Sequence, residues 1–344
     1  MSYKARIALI TRSLDLGGSE RQLIELAKHL NTESFESKVF CLYSGGKLSD
    51  ELLKNNIKYF SAHKRGRWDI IFPLFRLYSD LIRFNPIIVH SFLTIPNLLM
   101  VMMKCLRPSI NLVWGIRSSF MDLSKYDFVA QLSSILERGL GNIPDAIIAN
   151  SEASRGEYGF SKRNSNRIIV VPNAIDTQRF SPDPVARKEV REELQIGHSQ
   201  VVIGMVARID PMKDHLNFFE AVRISNINDA NFKFLCIGGG EFEYVRFLQK
   251  TCDGMGLSNI QWLGERMDVE RIYNALDIHS LTSLGEGFPN TVAESMASGV
   301  PNVATDVGDI AHIIGNTGAL IPVGDPEGLA RAWGEMKKKL KINK

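Results

Sequence analysis

One stretch decides the fold of this chain: Ser283-Leu-Gly-Glu-Gly-Phe-Pro-Asn-Thr-Val-Ala-Glu-Ser-Met-Ala-Ser-Gly299. The apolar run before it, residues 275–282, predicts a buried strand, and the glycines and proline within it predict a loop. Asn290 or Thr291 is the expected cap of a helix that ends at Gly299. Strand, loop and helix in this order place backbone N–H groups at a helix N-terminus, which carries roughly half a positive charge and suits phosphate.

Two carboxylates flank this predicted anion site, Glu286 in the loop and Glu294 in the helix. An anion and a polyhydroxylated group could therefore be bound side by side, and a nucleotide sugar contains both. Thr291-Val-Ala-Glu294 also matches the Ser/Thr-x-x-Glu capping box, so a purely structural role for Glu294 is the alternative.

Apolar segments that predict strands alternate with helical patterns along the whole chain, which indicates an α/β protein with parallel, doubly wound sheets. A segment rich in proline, asparagine and aspartate interrupts the alternation after Val171. We therefore predict a Rossmann-like domain at residues 1–173, a linker at 174–184 and a second Rossmann-like domain at 185–344. Ligands are expected at the carboxyl ends of the strands.

Three features of the first half are predicted to lie at such a ligand edge. Gly17 and Gly18 follow the first strand and precede a helix with Ser19 as its expected cap, so backbone could approach a ligand there; a tight turn is the alternative. His90 ends a predicted strand, and Arg117 follows another. The structural alternatives are a hydrogen bond to a loop for His90 and a salt bridge for Arg117.

In the second half, Arg208 and Lys213 follow the predicted strand at residues 201–207. Two cations at this edge could clamp a diphosphate and stabilise the charge that develops on a departing phosphate. The alternative is a pair of solvated cations beside Asp210 and Asp214.

Charge is unevenly distributed between the halves. Residues 1–173 contain 23 Lys and Arg against 15 Asp and Glu, whereas residues 174–344 contain 18 against 23. The basic half is expected to meet an anionic partner, either a membrane surface or a phosphate-bearing acceptor, and no motif predicts nucleic acid. The four separated cysteines and the lack of a signal peptide or ~20-residue apolar span favour a cytoplasmic protein.

Two segments, residues 63–76 and 96–107, interleave basic residues with apolar and aromatic ones. This pattern is typical of a helix at the lipid headgroup boundary, so we expect peripheral contact with an anionic membrane through the first domain. The alternative is that the apolar faces form core, and the pattern favours that alternative for residues 98–106.

The motifs together closely resemble the retaining glycosyltransferases of GT-B fold known as group 1 or family 4. Their pattern is a Glu, seven residues and a second Glu, with Gly-Phe-Pro after the first, as in Glu286-Gly-Phe-Pro-Asn-Thr-Val-Ala-Glu294. The resemblance continues through most of the chain, in Gly17-Gly18-Ser-Glu20, Pro172-Asn-Ala-Ile-Asp176 with Phe180, Arg208 with Lys213, Leu263-Gly-Glu-Arg266, Gly299-Val-Pro301 and Thr305-Asp-Val-Gly308.

The resemblance implies two Rossmann-like domains facing across a cleft and a retaining, metal-independent transfer from a nucleotide-diphosphate sugar, with UDP as the expected carrier. No metal or cofactor is expected. The acceptor would be a lipid-linked or cell-surface polysaccharide at the inner face of the membrane. The leaving diphosphate would deprotonate the acceptor on the same face of the sugar.

The resemblance also implies a role for each matching residue. Glu286 would bind the donor sugar and Glu294 the ribose. Arg208 and Lys213 would bind the diphosphate, and Arg266 the base. The remaining predicted donor-binding residues are Gly17, Gly18, Gly287, Phe288, Pro289, Asn290, Thr291 and Val292, and the predicted catalytic residues are Glu286, Arg208, Lys213, Arg117 and His90.

The chain departs from this family pattern at two positions, with Arg117 where many members have histidine and His312 where a glutamate is frequent. Two other functions are therefore weighed beside the transferase: a nucleotide-sugar-binding protein with little catalytic activity, and a GT-B nucleotide-sugar epimerase. Transfer requires an acceptor, epimerisation does not, and a binding protein converts neither substrate.

Overall fold

The computed structural model describes residues 4–32, 34–66, 68–117, 128–158, 167–197, 199–228 and 231–342. The chain divides into two compact units, Met1–Ala174 and Ile175–Lys344. Each unit alternates strands and helices around a parallel sheet, which confirms the prediction of two Rossmann-like α/β domains.

In the described part of the first unit, seven parallel strands lie in the order β3-β2-β1-β4-β5-β6-β7. The strand order reverses between β1 and β4, as in a doubly wound fold. The strands are β1 (Ala5–Thr11), β2 (Phe35–Cys41), β3 (Lys58–Ser61), β4 (Ile88–Phe92), β5 (Asn111–Ile116), β6 (Ala146–Ala149) and β7 (Ile168–Val170). The helices are α1 (Gly18–Leu30), α2 (Ser49–Lys54), α3 (Ile71–Phe84), α4 (Thr94–Leu106), α5 (Phe128–Leu140) and α6 (Glu152–Tyr158).

The helices of this unit cover the two faces of the sheet in separate groups. α1 and α2 pack into one apolar cluster through Leu23, Ile24 and Leu52. α3 and α4 pack into a second cluster, and Leu140 of α5 lies against it. Because parallel crossovers are right-handed, the reversal of strand order places α3, α4 and α5 together on one face.

The helix α5 buries polar residues and exposes apolar ones, which is the reverse of the usual amphipathic pattern. It buries Glu137, whose carboxylate accepts hydrogen bonds from Thr94 Oγ1 at 2.8 Å and from Asn97 Nδ2 at 2.6 Å. Asn97 in turn accepts a bond from Ser91 Oγ at 2.6 Å. The contact between α5 and α4 is therefore partly polar, and several apolar side chains of α5 point away from the sheet: Phe128, Val129, Leu132, Ile135 and Leu136.

In the described part of the second unit, six parallel strands lie in the order β10-β9-β8-β11-β12-β13. They are β8 (Val201–Val206), β9 (Phe232–Ile237), β10 (Ile260–Gly264), β11 (Ile278–Leu281), β12 (Asn302–Thr305) and β13 (Ala319–Ile321). The helices are α7 (Pro184–Glu193), a 3-10 turn (Pro211–Lys213), α8 (His215–Asn228), α9 (Phe242–Gly254), α10 (Val269–Ala275), α11 (Asn290–Ala297), α12 (Ile310–Ile314) and α13 (Pro326–Ile342).

The central strand β8 is apolar along its whole length because helices cover both faces, and its neighbour β11 is fully buried although it contains His279 and Ser280. Trp333 of α13 is fully buried with its ring against Phe218 and Phe234, at centroid separations of 5.4 Å each. Phe180, within the segment predicted as a linker, belongs to the core of the second unit. Residues that look like a linker in sequence are thus held by apolar packing.

Two predictions about the strands of the first unit differ from the structure. β3 was not anticipated, because its four residues include a lysine and a serine and give only a weak apolar signal. The strand predicted to end at His90 continues to Phe92 as β4. His90 is therefore within the strand and buried, and the prediction that it ends the strand is wrong.

Candidate active site

Three loops meet at the carboxyl edge of the second sheet, after the neighbouring strands β8, β11 and β12. The backbone N–H of Leu284 donates to Met212 O at 2.8 Å, which ties the β11 loop to the β8 loop. Asp309 N donates to Gly287 O at 3.2 Å, and Thr305 Oγ1 to Ser283 O at 2.7 Å, which tie the β12 segment to the β11 loop. The loops therefore form one hydrogen-bonded layer.

Within this layer the structure brings Lys213 and Glu286 together. Lys213 Nζ donates to Glu286 Oε1, and Ser283 Oγ donates to the same oxygen at 2.6 Å. Thr282 Oγ1 donates to the carbonyls of Lys213 and Asp214, at 2.8 and 3.0 Å, and so holds the backbone beneath the ion pair. The alternative of a solvated lysine beside Asp214 is therefore wrong.

Arg208 differs from Lys213, because its side chain is 68% exposed and its Nη2 lies 3.3 Å from Asp210 Oδ2. This arrangement matches the alternative of a solvated cation beside Asp210. An exposed pair of this kind contributes only about 0.2–1 kcal/mol, so the guanidinium can exchange the carboxylate for a phosphate at little energetic cost. Asp210 also accepts from Met212 N at 2.9 Å, which fixes the turn that carries Lys213.

The helix α11 begins at Asn290, with Pro289 as its N-cap and no side-chain cap hydrogen bond. The prediction that Asn290 or Thr291 caps this helix is wrong, because both residues already lie in its first turn. Val292, predicted to contact the donor, is fully buried in the apolar core, and its N–H donates to Pro289 O at 3.2 Å.

Glu294 is 7% exposed, and its Oε2 accepts a hydrogen bond from Tyr273 OH at 3.0 Å. The Tyr273 hydroxyl orients this carboxylate from α10. Sequence reasoning missed Tyr273, because nothing in the linear order indicates that α10 packs beside α11. Gly287 and Pro289 are buried, whereas Phe288 is half-buried.

Arg266 lies apart from this cluster, after the edge strand β10. Its guanidinium donates to both oxygens of Asp268 at 2.8 Å and to Glu193 Oε1 at 2.9 Å, and these bonds raise its pKa. β10 is two strands away from β8, which corresponds to roughly 10 Å across the sheet. In the described structure, Arg266 pairs with Asp268 and Glu193 and forms no ion pair with Glu286 or Glu294.

A run of three glycines, Gly238 to Gly240, directly follows β9, the strand between β8 and β10. Sequence reasoning missed this run. Ile209 N donates to Gly239 O at 2.8 Å. A Cβ at Gly238 would lie 1.9 Å from Ala207 O, and one at Gly240 would lie 2.2 Å from Ile209 O. Consecutive glycines directly after an apolar run are the signal that could have revealed this close backbone approach.

In the first unit, α1 begins at Gly18 with Gly17 as its N-cap, so the prediction that Ser19 is the cap is wrong. A Cβ at Gly17 would lie 2.2 Å from Glu20 Oε2, because the glutamate folds back over the glycine. The hydroxyl oxygens of Thr11 and Ser19 are buried without a hydrogen-bond partner.

His90 lies within β4, and Arg117 directly follows the neighbouring strand β5, at the same carboxyl edge of the sheet as Gly17 and Gly18. The His90 ring packs on the Phe92 ring with centroids 4.3 Å apart. Arg117 also contacts Phe92, with its Cζ 4.9 Å from the centroid of the ring. Burial and the Arg117 charge lower the pKa of His90 to about 3. A buried imidazole with a lowered pKa is a poor general base for a sugar hydroxyl near neutral pH.

In the described ranges, no group of three His, Cys, Asp or Glu side chains could hold a metal ion. No helix in that part of the chain is long and apolar enough to cross a bilayer.

Two family models match the chain. The model described as Glycosyl transferases group 1 matches residues 200–338, and the one described as Glycosyltransferase Family 4 matches residues 16–179. The chain belongs to the group 1/family 4 glycosyltransferases. The family resemblance in the motifs is thereby confirmed.

Curated relatives of this family member carry glycosyltransferase names. The D-inositol 3-phosphate glycosyltransferase of Corynebacterium urealyticum is 28% identical over 215 residues, 59% of this chain and 50% of the relative. The UDP-Gal:alpha-D-GlcNAc-diphosphoundecaprenol alpha-1,3-galactosyltransferase of Escherichia coli is 28% identical over 171 residues, 48% of this chain and 44% of the relative. The chain spans about half the length of the curated relatives it matches.

A solved structure extends the comparison to the whole chain. Anabaena HepE in complex with UDP-glucose superposes with a TM-score of 0.85 at 19% identity, covering 98% of this chain and 90% of that one. At this identity the likeness shows the fold, which is the GT-B type with two Rossmann-like domains.

Gly308→Ala is expected to disrupt the site. Gly308 has a φ of +60°, and a Cβ there would lie 2.1 Å from Glu286 O, so the loop that presents Glu286 must move. Gly324→Ala is the matched control, because Gly324 has a φ of +72° with no atom within 4 Å of its Cβ position. We expect binding of a sugar donor, measured by calorimetry against a panel of nucleotide sugars, to weaken at least tenfold in the first variant only; equal effects would contradict this.

Stability is expected to fall on mild acidification. Burial lowers the pKa of His90 to about 3 and those of His215 and His279 to about 4, against about 6.5 in the unfolded chain. Below pH 6.5 these histidines therefore bind protons in the unfolded chain but remain neutral in the folded chain. The free energy of unfolding is highest above that pH and decreases as the pH falls. Urea unfolding between pH 7 and 5 should show this loss, and His215→Asn should reduce its slope. A flat wild-type profile would refute it.

Proposed function

We propose that this family member transfers a sugar from a nucleotide-diphosphate donor, with UDP as the carrier, to a lipid-linked or cell-surface polysaccharide acceptor, with retention of anomeric configuration. The observation that carries the proposal is the Lys213–Glu286 ion pair beside the N-terminus of α11, with the buried Glu294 in the same helix. Cations and a helix terminus suit the diphosphate, and the carboxylates suit the hydroxyls of the two sugars.

Each group has a proposed task in the reaction. Glu286 accepts hydrogen bonds from the donor sugar, and Glu294, oriented by Tyr273, accepts from the ribose. The bond between the anomeric carbon and the diphosphate breaks while the acceptor oxygen bonds to that carbon on the same face. The acceptor proton passes to the leaving diphosphate, whose charge Lys213 and Arg208 offset. This scheme needs no metal, and we propose a metal-independent transfer.

Fixing Lys213 against Glu286 has a further consequence for this scheme. The ion pair holds both side chains before the donor arrives, so little conformational freedom is lost when the diphosphate and the sugar bind. Ser283 restricts the carboxylate from the β11 side, and Thr282 restricts the lysine backbone. The cation and the acceptor of the sugar hydroxyls are thus preorganised together.

Lys213→Ala and Glu286→Gln are expected to lower transfer at least a hundredfold, because each removes a group proposed to act on the diphosphate or the sugar. A panel of nucleotide sugars with an undecaprenyl-diphosphate-sugar acceptor, assayed for nucleotide diphosphate release with and without EDTA, measures this. Lys188→Ala, an exposed lysine on α7, is the control. Near-wild-type turnover of either variant would remove its role, and complete inhibition by EDTA would exclude the metal-free scheme.

The same assay separates the alternatives. Product formed only with acceptor supports transfer, donor converted without acceptor indicates an epimerase, and binding without conversion of either substrate indicates a nucleotide-sugar-binding protein. The E. coli relative is named for a diphosphoundecaprenol acceptor and a UDP-Gal donor, which supports testing this lipid first.

We further propose that the first unit contacts an anionic membrane at its inner, cytoplasmic face through α3, α4 and α5. Their outer surfaces expose a set of large apolar side chains: Ile71, Phe72, Phe75, Ile82, Met102, Leu106, Phe128, Leu132, Ile135 and Leu136. The expectation that residues 98–106 form core holds only in part, because Met100, Val101 and Met103 are buried whereas Met102 and Leu106 are exposed.

The charges on these three helices favour an anionic surface. Their only acidic residues, Asp80 and Glu137, are buried within the described structure. Arg76, Arg83 and Arg138 are exposed. Trp68, which precedes α3, is also exposed, whereas Arg67 lies outside the described residues. Apolar side chains beside exposed arginines, with no exposed acidic residue on these three helices, match the chemistry of an anionic lipid surface.

Ile71→Ser combined with Phe72→Ser is expected to reduce co-flotation with vesicles of phosphatidylglycerol and phosphatidylethanolamine severalfold, because it removes two exposed apolar side chains from the proposed contact. Phe242→Ser is the matched control, since Phe242 is 71% exposed but belongs to the second unit. High salt should weaken flotation of the wild type. Equal flotation of all three proteins would rule out this surface.

A further inference from the structure

Arg117 occupies an unusual environment at the carboxyl edge of the first sheet, directly after β5. Its guanidinium stacks on Phe92, and Nη1 donates to Asn173 Oδ1 at 2.7 Å. Its Nε is buried without a hydrogen-bond partner. Protein contacts thus hold the side chain in place but leave part of its donor capacity unused.

No carboxylate among the described residues forms an ion pair with Arg117. Asn173 supplies an amide dipole rather than a charge, and the neighbouring His90 is neutral, with its buried Nε2 also lacking a partner. Burial lowers the pKa of Arg117 to about 10, so it is still cationic near neutral pH. The expected alternative of a structural salt bridge is therefore wrong for the described part of the chain.

A desolvated cation without a counter-ion is costly, and buried charges in proteins are ordinarily paired. The residue as a whole keeps intermediate exposure, so part of the guanidinium is within reach of a ligand at the strand ends. Phe92 and Asn173 hold the planar guanidinium in a fixed orientation. A guanidinium held in this way can bind a carboxylate or a phosphate through two parallel N–H donors. The ion pair that the described residues do not supply is one that a substrate oxyanion can form.

We propose that Arg117 is a specificity residue that binds an oxyanion, a carboxylate or a phosphate, carried by a sugar substrate. This oxyanion is distinct from the donor diphosphate, which we assign to Arg208 and Lys213. It belongs either to the acceptor or to the transferred sugar. The identity of the carrier rests on the proposed glycosyl transfer, whereas the preference for an anion rests only on the surroundings of Arg117.

The donor arm of the test compares UDP-glucose with UDP-glucuronate, which differ only in the carboxylate at C6. Calorimetry on the full chain measures both dissociation constants. If the transferred sugar carries the oxyanion, the wild type binds UDP-glucuronate on the order of tenfold more tightly, and Arg117→Gln removes the preference without weakening UDP itself.

The acceptor arm compares glucose with glucose 6-phosphate and glucuronate in the presence of saturating UDP, by saturation-transfer NMR and thermal shift. If the acceptor carries the oxyanion, the anionic sugars bind on the order of tenfold more tightly than glucose and lose this advantage in Arg117→Gln. Arg117→Lys keeps the charge but not the planar fork and should retain part of the preference, which keeps the test open if the glutamine variant does not fold.

Arg223→Gln is the matched control, because Arg223 is an exposed arginine of α8 paired only with the neighbouring Glu220 in the described structure. The proposal is overturned if no anionic probe binds more tightly than its neutral counterpart, or if the preference survives in Arg117→Gln. Failure of the proposed function appears separately, as a wild type that binds neither UDP nor a UDP-sugar.

Discussion

The ion pair between Lys213 and Glu286 is the contact on which the candidate site of the second unit depends. It joins loops that follow two neighbouring strands, β8 and β11, and the hydrogen bonds of Ser283 and Thr282 hold it from both sides. A lysine and a carboxylate at the end of a parallel sheet could each have pointed into solvent. Their pairing beside the start of α11 creates a compact region with both cationic and acceptor character.

Close backbone approach is the second requirement of this region. Gly308 lies against the carbonyl of Glu286, and Gly238 and Gly240 lie against the carbonyls of the β8 loop. At each position a side chain would overlap main-chain atoms, so these residues bring the loops together at the sheet edge rather than simply allowing a turn. The layer that presents the charged side chains is therefore built from backbone contacts.

In the first unit, two buried charged side chains, Glu137 and Arg117, determine which surfaces remain without a partner in the described structure. Glu137 satisfies buried donors between α4 and α5, which leaves the outer side of α5 apolar. At the sheet edge the opposite occurs, since Arg117 is desolvated without a carboxylate among the described residues. Both features leave a favourable interaction incomplete within the described protein, one apolar and one electrostatic. They are accordingly the places where a lipid surface and a substrate oxyanion are proposed.

The sequence by itself determined the fold class and most of the strands, because parallel strands covered on both faces must be apolar runs and their alternation with helices is visible in linear order. It also identified Glu286, Lys213 and Glu294, through motifs that resemble the family. Only the tertiary structure decided what these residues contact. Tyr273 beside Glu294, Ser283 beside Glu286 and the cap at Pro289 depend on how separate segments pack. The sequence indicated Arg117 as a cation near a ligand edge, but the lack of a carboxylate partner among the described residues is a property of its surroundings, which linear spacing does not contain.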